Sequence, residues 1–368
     1  MARVVVGMSG GVDSSVAAAL LKEQGYDVVG IMLRLWAEPP AEGEEAEYAR
    51  ENACCSIESM GDARRVAAQL DIPFYVINVE EPFRETIVDY FYDEYRAGRT
   101  PNPCLRCNRT IRFTLLLERA LALGADYLAT GHYVRVDDDP ATGLRRLRRA
   151  SDVTKDQSYV LHVLSQYQLS HALFPLGEYS KPEVRAMAAE RGLSVATKAE
   201  SQEICFVAAN DYRGFVRRYA EARGQPEPEP GPILDLSGRA LGAHSGLANY
   251  TVGQRKGLGI AAREPLHVLQ LDGARNAVIV GPAAALERER FTVHQTTWTR
   301  DTPPDGTVRV EVKVRYKAQP VSGLVTPLPD GRAEVTLEQP IRAVTPGQAA
   351  VFYGGAEGDE ALGGGLIE

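Results

Sequence analysis

The chain has 368 residues, 44% of them apolar and 24% charged, with a formal net charge of −8, so two or three globular domains are expected and a disordered or fibrous chain is excluded. No run is apolar and long enough to span a membrane and no basic-then-apolar leader opens the sequence, so the expectation is a cytoplasmic protein with no membrane partner, whose five cysteines are reactive or metal-binding rather than a disulfide framework. The acidic balance speaks mildly against nucleic acid, although binding depends on local basic surface rather than net charge.

Residues 4–6 (V-V-V) read as a buried parallel strand, and residues 16–21 open a helix rich in Ala and Leu. Between them lies Gly7-Met8-Ser9-Gly10-Gly11-Val12-Asp13-Ser14-Ser15. A glycine-rich turn entering a helix offers unpaired N–H groups, the positive end of the helix dipole and close approach to backbone, all of which suit phosphate. No lysine lies inside the turn, so it is not G-x-x-x-x-G-K-[ST], and its glycines do not fit G-x-G-x-x-G either. Its form, S-G-G-x-D-S, resembles the pyrophosphatase-type P-loop, whose enzymes split ATP into AMP and pyrophosphate. By that resemblance the loop holds pyrophosphate and Asp13 sits by the magnesium ion. The bland alternative is a strand–helix turn with no ligand.

Further along, residues 27–33 read as a strand, 61–70 as a helix, 74–79 as a strand, 82–97 and 113–123 as helices, and 127–130 as a short strand ending at Gly131-His132. Such alternation predicts a doubly wound parallel sheet with ligands at the carboxyl ends of its strands. Met32 is a candidate adenine contact, with plain core as the alternative. Residues 37–47 form an acidic, Pro-containing stretch read as a loop, and Cys54-Cys55 are read as structural. Residues 100–108 (T-P-N-P-C-L-R-C-N) carry two prolines and are expected to be a rigid, non-helical loop. Cys104 and Cys107 there form a C-x-x-C pair, readable as a dithiol, half of a zinc site or part of an iron–sulfur site. Arg106, Arg109 and Arg112 favour thiolate. No second C-x-x-C exists, and the distant Cys205, flanked by Ile204 and Phe206, reads by itself as a small buried hydrophobe.

Residues 144–149 hold Arg145, Arg146, Arg148 and Arg149, read as a phosphate-contacting surface or else a solvated loop. Residues 181–193, with Pro182 in the first turn, and 211–223 read as helices, and 224–232 as a Pro-rich linker. Residues 231–281 read as short strands and turns, with Arg255 and Lys256 suited to a phosphate. Beyond about residue 291 the pattern is β only: 308–316 (V-R-V-E-V-K-V-R-Y) alternates strictly, and strands near 332–337 and 348–353 complete a small barrel. Arg315-Tyr316 presents a guanidinium and a ring, a combination suited to RNA. The expected class is α/β: a doubly wound catalytic domain over 1–215, a small β-rich central domain over 216–285 and a C-terminal β-barrel over 286–368.

The ordered motifs G-M-S-G-G-V-D-S-S, T-P-N-P-x-x-x-C-N, T-G-H-Y, K-D-Q-S-Y, I-C-F and Y-T-V-G-Q-R-K-G-L-G, spread over the whole chain, resemble the tRNA-specific 2-thiouridylase family. The resemblance implies ATP-dependent thiolation at C2 of the wobble uridine of tRNA, with magnesium. It implies a nucleotide site at Gly7, Met8, Ser9, Gly10, Gly11, Val12, Asp13, Ser14, Met32 and Gly131, and working cysteines at Cys107 and Cys205. It puts the target base at Asn102, Pro103 and Cys104, with His132 beside nucleotide and base. Contacts with tRNA follow at Lys155, Asp156, Gln157, Arg315, Tyr316 and Gln348. Partners implied are tRNAs of the Lys, Glu and Gln acceptor type and a sulfur donor or relay protein fed by a cysteine desulfurase. Many members have Asp where this chain has Cys104, which opens two schemes. In one, Cys205 carries a persulfide and Cys107 releases the sulfur, ending in a disulfide. In the other, favoured by the third cysteine, Cys104, Cys107 and Cys205 hold a 4Fe–4S cluster with one iron open for sulfide. Two further readings compete: an ATP-dependent ligase or amidotransferase of the same fold acting on a small metabolite, and a non-catalytic sulfur carrier or RNA-binding module.

Overall fold

The computed structural model describes residues 1–38, 56–200, 204–208, 211–226, 228–342 and 344–368. Cys54, Cys55 and most of the acidic stretch therefore lie outside the described residues. The strands β1 (Arg3–Gly7), β2 (Asp27–Arg34), β3 (Phe74–Asn78), β4 (Tyr127–Ala129) and, beyond a hairpin of β5 (Val134–Asp138) and β6 (Arg145–Arg149), β7 (Ala172–Leu173) include a five-stranded parallel sheet in the order β3-β2-β1-β4-β7. Side chains alternate along β1 with a period of two. Val4 and Val6 face the cluster built on α1 (Val12–Glu23) and α2 (Ile57–Gln69), while Val5 joins Phe113 and Leu116 on the other face. Strand order reverses between β1 and β4, so their carboxyl ends open a crevice, the place where such sheets take ligands.

Two long helical rods lie between the third and fourth strands. One runs through α3 (Glu80–Phe83), a π-type stretch Arg84–Val88 and α4 (Asp89–Arg96). The other runs through α5 (Pro103–Cys107), a π-type stretch Asn108–Leu116 and α6 (Leu117–Ala122). The second corrects the sequence reading, because residues 103–107 are helical and not a loop. A proline breaks a helix from the inside but starts one well at the first position, where its missing N–H has no partner to lose. Pro103 occupies that position, and the Asn102 side chain caps the turn by accepting from Leu105 N at 3.2 Å. Cys104 and Cys107 of the C-x-x-C pair thus sit on one short helical turn.

After α7 (Ser158–Leu161) and α8 (Gln166–Ser170), α9 (Lys181–Glu190) starts from a reciprocal capping box of Ser180 and Glu183, and α10 (Tyr212–Ala222) closes the first unit. The central unit is a four-stranded sheet of β8 (Gly231–Leu234), β9 (Ala240–His244), β10 (His267–Asp272) and β11 (Ala277–Gly281). The last unit contains β12 (Glu287–Trp298), β13 (Val308–Lys313), β14 (Val321–Leu328), β15 (Arg332–Arg342), β16 (Ala349–Gly354) and β17 (Glu360–Ile367). Their order β12-β15-β14-β13-β16-β17 closes through a β12–β17 pairing into a barrel, which leaves no free edge. The strict alternation of β13 is realised: Val310 and Val312 fill the barrel with Val325 and Val335, and Arg309 is exposed. The class is α/β with a β-rich centre and a C-terminal barrel, as the sequence predicts.

Barrel and parallel sheet are joined rather than strung apart. Ala349, Val351, Tyr353 and Ala361 of the barrel share a hydrophobic cluster with Val5, Leu128 and Leu147. The β5–β6 hairpin extends the barrel sheet beside β17, with Arg148 opposite Glu360. This placement gives the four arginines partners that neither reading of the sequence foresaw. Arg146 binds Asp137 bidentately at 2.7 and 2.9 Å, Arg145 meets Asp138 at 2.9 Å, and Arg149 meets Glu311 at 2.9 Å. Arg148 reaches Asp137 and Asp359, with its side chain only 11% exposed. Each guanidinium has a carboxylate of the protein as its partner: Arg145 and Arg146 pair within the hairpin, and Arg148 and Arg149 tie it to the barrel.

Candidate active site

The crevice between β1 and β4 is lined first by the glycine-rich turn. α1 begins at Gly11 with no side-chain cap, so the N–H groups of its first turn point at the crevice unclaimed by a side chain. Ser14 Oγ lies 3.2 Å from Ser9 N and from Gly11 O, and Ser15 Oγ donates to Gly11 O at 2.8 Å, which fixes the turn. Gly10 has φ +69°, and a Cβ there would lie 2.1 Å from Ser59 O, so only glycine fits. Gly131, from the end of β4, is pressed against the turn: a Cβ would stand 2.8 Å from Ser14 N and from the carbonyl carbon of Asp13. The two expected halves of the nucleotide site therefore touch. Met8 and Met32 are both buried in the core beneath it, as are Val12 and Ser14.

Asp13 stands at the centre of a charge network. It accepts from Tyr133 Oη at 2.7 Å and from Lys181 Nζ at 2.7 and 2.8 Å. Lys181 also pairs with Glu200 at 3.0 Å, and Glu200 with Lys155 at 2.7 Å. Burial raises the Glu200 carboxyl, but the hydrogen bonds from Lys155 and Lys181 outweigh it and hold the group below its ordinary value. The Tyr133 phenol is pushed far up by burial and then by the Asp13 charge, so it stays a donor. Lys181 and Tyr133 are the residues that sequence reasoning missed. The available signal was the phosphate turn's lack of an internal lysine: a cation has to come from elsewhere, and Lys181 at the first position of α9 supplies it.

Beside this network the α5 turn presents the sulfur groups. Cys107 is buried in an aromatic cluster with Phe91, Phe206 and Phe215, and Cys205 packs against the same cluster. Cys104 is exposed. Among the described residues no three His, Cys, Asp or Glu side chains are gathered to hold one metal. The structure thus brings Cys107 and Cys205 to one cluster and leaves Cys104 exposed on the same helical turn as Cys107. His132 is buried with Nδ1 2.7 Å from Thr130 Oγ1. Burial, and then the Arg112 charge, push its pKa down to about 3, so the ring is neutral and cannot serve as a resident cation.

The expected tRNA contacts divide. Tyr316 lies in the charge field of Asp156, Cys104 and Glu200, and burial together with those charges raises its phenol to about 12. Arg315 is partly desolvated and donates to Thr345 Oγ1 at 2.6 Å. Lys155 stands in the charge network, and Gln157 Oε1 accepts from Tyr133 N at 2.9 Å. Asp156 departs from expectation: it is 5% exposed and accepts from Ala150 N, Ser158 N and Ser158 Oγ, so its carboxylate shapes the turn before α7 instead of facing a nucleic acid. Gln348 spends its amide on the chain itself, donating to Thr100 O at 2.9 Å.

Family models match three consecutive stretches: a tRNA methyl transferase HUP domain over residues 2–209, a tRNA methyl transferase PRC-barrel domain over 217–282 and an aminomethyltransferase β-barrel domain over 288–367. The chain is 52% identical to the tRNA-specific 2-thiouridylase MnmA of Chloroflexus aurantiacus over 368 residues, covering 100% of this chain and 98% of that one. It is 50% identical to the protein of the same name from Heliobacterium modesticaldum over 366 residues, covering 99% and 92%. Among solved structures, the U34-tRNA thiolase NcsA of Methanococcus maripaludis, solved with its 4Fe–4S cluster, is 20% identical over 60% of this chain and 67% of that one. Its TM-score of 0.33 carries no argument about this site. Full-length identity near one half, together with three family models in order, shows that this chain belongs to the tRNA-specific 2-thiouridylase family.

Proposed function

We propose that the chain thiolates C2 of the wobble uridine of tRNA at the expense of ATP. The observation that carries this is the juxtaposition of an uncapped phosphate turn, an Asp13–Lys181 pair and two cysteines on one cluster. The C2 oxygen of uridine is a poor leaving group. The crevice remedies that by holding ATP so that the oxygen attacks its α-phosphorus, with pyrophosphate leaving into the Gly7–Gly11 turn. When bound, magnesium would neutralise charge developing on the pyrophosphate; Asp13 is the carboxylate placed to hold it, and Lys181 is the cation placed to take up phosphate charge. Neutral His132 packs at the crevice wall and excludes water.

For the sulfur step the two-cysteine scheme is the better fit. A persulfide on Cys205 attacks C2 through its terminal sulfur, and AMP departs with the former C2 oxygen. The Cys107 thiolate then attacks Cys205 Sγ, which frees the thiocarbonyl and leaves a Cys107–Cys205 disulfide for an external dithiol to reduce. Cys104, exposed on the same turn as Cys107, lines the base pocket. The proposed cosubstrates are a wobble-uridine tRNA and a persulfide-bearing donor protein.

Four substitutions test this scheme. Cys107→Ser and Cys205→Ser should abolish 2-thiouridine formation, whereas Cys104→Asp should retain a substantial fraction of the wild-type rate. Iron bound to the active protein, lost together with activity in Cys104→Ser, would contradict the scheme and restore the cluster.

A further inference from the structure

The central unit treats its cations in two ways. Arg239 and Arg275 are each paired with an acid three or four residues away, Asp235 at 3.1 Å and Asp272 at 2.6 Å. Arg255 and Lys256 are exposed as well, yet among the described residues neither has a carboxylate partner. The turn that carries them is fixed at both ends. Gln254 Oε1 accepts from Thr251 N at 3.2 Å, Gln254 Nε2 donates to Lys256 O at 3.0 Å, and Val268 N donates to Gln254 O at 2.9 Å. On the far side Leu258 is buried in the core of the unit with Ile233, Tyr250 and Val268. Gly257, with φ +77°, supplies the left-handed step between them. Cations presented on a fixed turn lose little freedom when an anion takes them.

The surface continues onto α10. Residues Leu247–Asn249 pack beside α4 and α10, with Tyr212 Oη 3.5 Å from Asn249 O, and Ala248 enters the aromatic cluster that holds Cys107, Phe206 and Phe215. Phe215 and Tyr219 face that cluster, which turns Arg213 and Arg217, one helical turn apart, to the outside. Among the described residues they too have no carboxylate partner. No large apolar side chain is exposed on α10 or over residues 246–265. A protein interface has an apolar centre, whereas a phosphate backbone is met by cations alone.

We propose that Arg213, Arg217, Arg255 and Lys256 form a second tRNA-binding surface, which takes backbone phosphates away from the target base. Both this surface and the barrel border the sulfur site, since Ala248 shares the cluster of Cys107 and Tyr316 lies in the charge field of Cys104. Contacts to phosphate carry no sequence information, so the four cations supply affinity and orientation without choosing the base. The inference rests on the thiolation reading for the identity of the RNA.

The test is binding of a lysine-acceptor tRNA transcript across a salt series. Arg255→Ala with Lys256→Ala should raise the Kd at least about tenfold at about 0.1 M salt. It should also lower the slope of log affinity against log salt by roughly 1.4–1.8, the sum of two phosphate contacts. Arg213→Ala with Arg217→Ala should do the same. The single-turnover thiolation rate at saturating tRNA should stay within about twofold of wild type, because no chemistry runs through these side chains. Arg239→Ala with Arg275→Ala removes the same charge from the same unit and should leave slope and Kd unchanged. An unchanged slope in either basic variant, or an equal fall in that control, would overturn the proposal. An unchanged slope combined with slower sulfur delivery from the persulfide donor would assign the surface to that protein instead. Should the wild-type protein bind tRNA but form no 2-thiouridine, the thiolation reading fails, and the salt series still decides whether this surface takes the RNA.

Discussion

Asp13 and Lys181 form the ion pair to which the proposed function assigns the phosphate chemistry. The lysine, 9% exposed, pairs with both Asp13 and Glu200, and Lys155 on Glu200 supplies the second cation that balances the two carboxylates. On the proposed reading, Asp13 would hold the magnesium ion and Lys181 would meet the phosphates of a bound nucleotide. Asp13→Asn and Lys181→Met should each lower ATP–pyrophosphate exchange by roughly 10²-fold or more while tRNA affinity stays nearly unchanged. Filter binding and exchange assays check this, and an equal loss of tRNA binding would make the pair structural. Asp13 was legible in the sequence because S-G-G-x-D-S is a local pattern. Lys181 was not, because it is separated from the loop by most of the sheet and opens a helix whose Pro182 and capping box explain its start without any function.

At the scale of elements, the β5–β6 hairpin shows why charge alone misleads. Four arginines in six residues read as a phosphate surface, yet the carboxylates that claim them come from the facing strand and from residues 311–360. No local pattern reveals partners more than 200 residues away. Arg148→Ala should lower stability by on the order of 2 kcal/mol, measured by urea unfolding, because it leaves Asp137 and Asp359 short of a donor in a half-buried site. The salt slope of tRNA binding should not change, whereas loss of a phosphate contact would reduce it by roughly 0.7–0.9. The α5 turn teaches the converse lesson. Its helix was written in Asn102-Pro103, a cap followed by a first-position proline, and counting prolines as breakers concealed it.

Across the whole molecule, the parallel sheet, the β-rich centre and the barrel were legible because each has its own periodicity. What could not be read was how they meet, since the shared cluster of Val5, Leu128, Val351 and Tyr353 joins residues distant in sequence. His162 sits at that junction, fully buried, its Nδ1 2.8 Å from Tyr159 O. Burial lowers its pKa to about 4, as it lowers that of His132 to about 3. The unfolded chain takes up these protons below about pH 6.5 and the folded protein refuses them, so stability is full above that pH and is lost as pH falls towards 4. Two such groups should cost roughly 2–4 kcal/mol between pH 7 and 5, seen as a falling urea midpoint. A midpoint flat down to pH 5 would mean that both rings are protonated in the fold.

The central claim is that ATP activates the uridine oxygen itself. A tRNA transcript carrying oxygen-18 at C2 of its wobble uridine, incubated with the protein, ATP, magnesium and a persulfide donor, tests it directly by mass spectrometry of the released nucleotide. Adenylation of O2 predicts one heavy oxygen in each AMP, formed in equal amount to 2-thiouridine. Unlabelled AMP, or ADP with inorganic phosphate in its place, would contradict it.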